Sequence, residues 1–139
     1  MKIGYTTGVF DLFHIGHVQL LQRAKSLCDK LIVGVTVDEL VLYKGKKSVI
    51  PFEERLAVVA SCRFTDVAIP QKSINKVEAV KKLKADYLFV GDDWYGSDNW
   101  NGMEQELAKI NCKVVYFPYH DGTSSTLINE VLNNLRVDK

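Results

Sequence analysis

Charge of one sign is what this 139-residue chain most plainly lacks: 18 lysines and arginines stand against 17 aspartates and glutamates, a formal charge of +1. That balance argues against a general binder of nucleic acid or of a membrane surface, though it permits a local basic cluster. Long apolar runs are missing as well. None approaches the roughly 20 residues of a membrane span, and the N-terminus reads as a strand rather than a signal peptide. Cysteine is scarce and scattered. Cys28, Cys62 and Cys112 show no paired ligand spacing, so they read as small buried hydrophobes in a reducing, cytoplasmic setting rather than as metal ligands. No composition shift, repeat, low-complexity tract or linker interrupts the chain, and residues 1–139 are expected to form one domain.

What is present is a regular alternation. Apolar runs bounded by polar or turn residues recur at 2–6, 31–36, 67–70, 87–90 and 114–117, which predicts five strands. Between them lie segments of helical period. Val18, Leu21, Ala24 and Cys28 mark the first; Pro51 with Glu53 and Glu54 starts a second, expected to run to about Arg63. Val77, Val80 and Leu83 mark a third, Met103, Leu107 and Ile110 a fourth, and residues 127–135 a C-terminal one. Strand and helix in alternation imply an α/β fold: a Rossmann-like, doubly wound, five-stranded parallel sheet covered on both faces. In such sheets ligands bind beyond the carboxyl ends of the strands, where strand order reverses.

The polar clusters that carry chemistry all follow strands. The first spans 7–17, where Thr7, Gly8, Phe10, Asp11, His14, Gly16 and His17 bridge the first strand and the first helix. At that turn the unpaired N–H groups and the positive end of the helix dipole favour an anion. Histidines three apart project from one side of a helix, and Gly16 between them removes a side chain where a phosphate must come close. The bland alternative is a pair of capped or solvated histidines; zinc would need two further ligands. A basic run follows the second strand, Lys44-Gly45-Lys46-Lys47, either a solvated surface or a phosphate-closing loop. Arg55 and Arg63, eight apart, fall on roughly one side of the second helix. Gly91-Asp92-Asp93-Trp94 ends the fourth strand, where such aspartates often cap a turn and where Trp94 could pack as core or wall a pocket. Last comes 120–126, His-Asp-Gly-Thr-Ser-Ser-Thr, ahead of the final helix. Four consecutive hydroxyls exceed what capping requires and offer donors to a triphosphate.

The run 7–17 resembles the HxGH signature of the nucleotidyltransferase superfamily, and it looks like the cytidylyltransferase branch, above all the glycerol-3-phosphate cytidylyltransferases. The similarity covers nearly the whole chain. It implies transfer of CMP from CTP, with Mg2+, to a small phosphorylated alcohol, foremost glycerol 3-phosphate, in a homodimeric enzyme that binds neither nucleic acid nor membrane. It implies His14, His17, Lys44 and Lys46 as catalytic residues. The nucleotide would meet Thr7, Gly8, Phe10, Asp11, Gly16, Arg63, Gly91, Asp93, His120, Gly122, Ser124, Ser125 and Thr126, and the acceptor Arg55 and Trp94. Asp11 is also expected to help position the Mg2+ on the triphosphate. The segment 119–126 resembles the family's RTEGISTT motif, with Gly122, Ser124 and Thr126 retained but Tyr119 in place of its arginine. A tryptophan that glycerol-3-phosphate enzymes carry after the third strand aligns with Ile74. Alternatives are an adenylyltransferase using ATP, since the HxGH core does not read the base, and a nucleotide-binding module without catalysis.

Overall fold

The computed structural model describes residues 1–43, 45, 47–91, 98–117 and 130–134. In chain order the elements are β1 (Ile3–Gly8), α1 (Ile15–Ser26), β2 (Lys30–Thr36), α2 (Asp38–Tyr43), α3 (Phe52–Ala60), β3 (Val67–Gln71), α4 (Lys76–Leu83), β4 (Tyr87–Gly91), α5 (Asp98–Lys109) and β5 (Lys113–Phe117). Residues 130–134 are helical, within the C-terminal helix expected from the sequence. All five expected strands form, and all pair in parallel in the order β3-β2-β1-β4-β5.

The strands form where the sequence places near-continuous apolar runs, because a sheet covered on both faces has no polar side to show. From Leu31 to Thr36 every residue of β2 is buried. One face packs Tyr5, Ile32, Leu88 and Val90 against Val77 and Val80 of α4 and Leu107 of α5. The other packs Leu31, Val33, Val35 and Phe89 against Leu21 and Ala24 of α1 and Val59 of α3. Gly4 leaves room for the Phe89 ring of β4 and for Cys28, two residues past α1: a Cβ there would lie 2.5 Å from the Phe89 ring and 2.8 Å from Cys28 Sγ.

One expectation changes: the helix after Pro51 ends at Ala60, short of Arg63. Asp38–Tyr43, after β2, forms the short helix α2, which the sequence reading did not include. Strand order reverses between β1 and β4 at the centre of the sheet, and in sheets of this kind ligands bind beyond the carboxyl ends at that point. Thr6 Oγ1 donates to Phe89 O at 3.1 Å and joins the two strands just before that point.

Candidate active site

The turn from β1 into α1 is held in an uncommon conformation. Phe10 and Leu12 sit at φ 55° and 51°, left-handed values that side chains other than glycine adopt at a cost of about 1–3 kcal/mol each. The surroundings impose them. Phe10 is buried and lies edge-on to His17, with ring centroids 5.3 Å apart. Phe13 stacks on His17 at the same distance. Between the two strained residues, buried Asp11 accepts from Val49 N at 2.8 Å through Oδ2 and from Ile50 N at 3.0 Å through Oδ1.

His14 is the N-cap of α1 and closes a reciprocal capping box with His17. Its Nδ1 accepts from Gly16 N at 3.0 Å, while its own N–H donates to His17 Nδ1 at 3.2 Å. A ring nitrogen that accepts carries no proton, so both imidazoles bear their hydrogen on Nε2, the side away from the cap. The rings lie 4.0 Å apart. Burial first, then the neighbouring His14, lowers the His17 pKa to about 4 against the opposing pull of Asp11. His17 is therefore neutral at pH 7. The pair is a set of two oriented, uncharged N–H donors at a helix N-terminus, the arrangement that suits an anion whose charge grows during reaction.

Arg55 lies close by, but it is spent inside the fold. Its side chain is 0 % exposed. Nε donates to Ile50 O at 2.8 Å, Nη1 to Val9 O at 2.7 Å and to Thr36 O at 2.8 Å, and Nη2 to Asp38 Oδ1 at 2.6 Å. Four of the five guanidinium N–H groups are thereby used, and the acceptor contact expected of Arg55 is corrected: it ties the ends of β1 and β2 together. Asp38, held below the usual carboxylate range by the Arg55 guanidinium and then by Phe52 N–H, completes this knot. Sequence reading missed Asp38. Its signal was an acid at the start of a short amphipathic stretch directly after β2.

Arg63 is also corrected. It lies beyond α3, in the turn ahead of β3, with its guanidinium 5.5 Å over the Phe64 ring. Asp66, three residues on, donates its N–H to Leu31 O at the start of β2. The turn is thus at the amino edge of the sheet, opposite His14 and His17, because α3 carries the chain back from one edge to the other.

Of the remaining expected residues, Thr7 and Gly8 end β1 beside the turn and Gly16 opens α1. Gly91 ends β4 on the same edge, paired with Phe117. Gly45 lies at φ 77° and donates its N–H to Leu42 O. Lys44, Lys46, Asp93, Trp94, His120, Gly122, Ser124, Ser125 and Thr126 lie outside the described residues. Among the described residues no group of three His, Cys, Asp or Glu could hold a metal ion, and no helix is long and apolar enough to cross a membrane.

Known proteins resemble this chain over most of its length. Glycerol-3-phosphate cytidylyltransferase of Bacillus spizizenii is 39% identical over 136 residues, 97% of this chain and 100% of that one. The FAD synthase of Archaeoglobus fulgidus is 36% identical over 109 residues, 78% of this chain and 79% of that one. Among solved structures, the lipopolysaccharide core biosynthesis protein of Thermoplasma volcanium superposes with a TM-score of 0.73 at 27% identity, covering 88% of this chain and 99% of that one. The family model described as Cytidylyltransferase-like matches residues 5–132, from β1 into the last helix, and the protein is a member of that family of nucleotidyltransferases.

Proposed function

We propose that the protein transfers CMP from CTP to the phosphate of glycerol 3-phosphate, releasing pyrophosphate. The observation that carries this reading is the His14–His17 pair, whose capping box turns two Nε2–H donors out from a helix N-terminus. An oxygen of the acceptor phosphate, already ionised, attacks the α-phosphorus in line; the new P–O bond forms as the bond to the bridging oxygen breaks, and pyrophosphate takes the electron pair. No general base is needed. Catalysis then rests on positioning and on donors aimed at growing negative charge, which neutral, preoriented imidazoles supply without a change of protonation. Lys44, Lys46 and the hydroxyls of Ser124, Ser125 and Thr126 are proposed to meet the triphosphate. Mg2+ would ride on the triphosphate oxygens, screening their charge. Asp11 gives one lone pair of each carboxylate oxygen to Val49 N and Ile50 N, and in this reading it serves to anchor the turn.

Glycerol 3-phosphate is favoured as acceptor because relatives bearing that name match this chain over 95–97% of its length. A homodimer in the cytoplasm is part of the same reading. Adenylyl transfer is the second reading, supported by the FAD synthases among the relatives and by a histidine pair that addresses phosphate rather than base. Pyrophosphate release measured with CTP or ATP, each against glycerol 3-phosphate and other phosphorylated alcohols, tests both. Turnover with CTP and glycerol 3-phosphate is the expected result; turnover with ATP alone would replace it.

A further inference from the structure

The segment 48–52, which follows the lysine run, is fastened to the β1–α1 turn and to α2 by side chains that the chemistry itself does not require. Asp11 accepts from Val49 N and Ile50 N. Asp38 accepts from Ser48 Oγ at 3.0 Å and from Phe52 N at 3.1 Å. Arg55 bridges Ile50 O to Val9 O, one residue before the strained Phe10, and to Asp38. Five consecutive residues thus carry hydrogen bonds from three charged side chains, or in the case of Pro51 lie between two that do.

We propose that Asp11, Asp38 and Arg55 are positioning residues that hold the lysine-bearing loop in register with the histidine turn. This rests on the proposed role of Lys44 and Lys46 at the triphosphate. The chain leaves α2 at Tyr43, and Ser48, the first residue held by these side chains, directly follows the lysine run. Gly45 takes φ 77°, a left-handed value that glycine adopts without strain. Asp11 is common to both halves. Its carboxylate lies in the turn that aims the histidines, and its two acceptors fix the far end of the lysine loop, so the two sets of phosphate contacts share one buried anchor. The shared anchor sets their separation before any substrate arrives, which is preorganisation of the kind that speeds the chemical step.

Asp11→Asn tests this on the full-length chain. An amide side chain keeps one acceptor oxygen but puts an NH2 against one of the two backbone donors, so one anchor is lost with little change in volume. Amide exchange over 44–52 should quicken at Val49 or Ile50. The kcat for pyrophosphate release should fall about 10²-fold, the scale of a misplacement of roughly 1 Å, while KM for CTP changes less than kcat and the melting temperature stays within a few degrees. In a Lys46→Ala background the same substitution should cost markedly less, because the group it positions is gone. A normal kcat despite faster exchange would overturn the proposal, and so would an equal fractional loss in both backgrounds. If wild-type protein releases no pyrophosphate from CTP with glycerol 3-phosphate, the reading of the reaction fails by itself. The anchor is then judged on exchange alone, and unchanged protection of both Val49 and Ile50 in Asp11→Asn overturns it.

Discussion

At the scale of single residues the protonation of the two histidines decides what the site can do. A histidine near pH 7 ordinarily divides between charged and neutral forms, yet the capping box needs an unprotonated Nδ1 on both rings. Nitrogen-15 NMR should therefore show both imidazoles as Nε2–H tautomers at pH 7. His14→Ala and His17→Ala should each lower kcat by about 10²–10³, the usual result of removing a transition-state donor. His14→Ala should also cost about 1 kcal/mol of stability through the lost N-cap. Near-normal turnover in both variants would refute the catalytic assignment. The pH dependence follows from His17. Unfolded, it binds a proton below about 6.5; folded, only below about 4. Between these values the unfolded chain holds more protons, so stability rises with pH across this window. The contribution is complete above pH 6.5 and is lost as the pH falls through 4. Urea midpoints measured from pH 7 to 4 should drop further for wild type than for His17→Gln, which has no ring to titrate.

At the scale of elements the parallel strands are brought into register by aspartates that precede them. Asp29, Asp66 and Asp86 each stand one residue before β2, β3 and β4. Their carboxylates accept from Lys2 N, Leu31 N and Ile3 N at 2.6, 2.7 and 2.9 Å. Each thus satisfies a donor of the neighbouring strand that the ladder has not yet reached. Partial burial raises the Asp66 pKa, but the bonds from Lys25 and Leu31 N–H outweigh it and the net shift is downward. Asp66→Asn should therefore cost about 1 kcal/mol, a fall of roughly 2–4 °C in melting temperature, and leave kcat unchanged because it lies at the amino edge. A fall in kcat with normal melting would contradict that placement. The recurrence of an aspartate before three apolar runs was visible in the sequence. Its partners were not, since they lie 27, 35 and 83 residues away.

At the scale of the whole molecule, the buried arginine shows how topology assigns roles. Arg55 binds three carbonyls and one carboxylate contributed by the end of β1, the end of β2, the start of α2 and the segment before α3. Arg55→Ala strands those acceptors and should cost about 3 kcal/mol in urea unfolding. Arg55→Lys should recover only part of it, since one ammonium cannot reach a planar fan of four partners. Full stability in Arg55→Ala would show that the knot contributes nothing. The sequence by itself determined the elements that depend on neighbours in the chain: the five apolar runs, the amphipathic helices, and the histidine turn. The capping box joins residues only two or three apart, so its chemistry is local. Tertiary structure alone decided which charged residues face substrate and which face the fold. Arg55 and Arg63, one patterned pair along the chain, part company because α3 carries the chain from the carboxyl edge to the amino edge, leaving one under Val9 and Thr36 and the other in the turn ahead of β3. Burial of a charge is settled by partners up to 46 residues away, and no spacing along the chain encodes that distance.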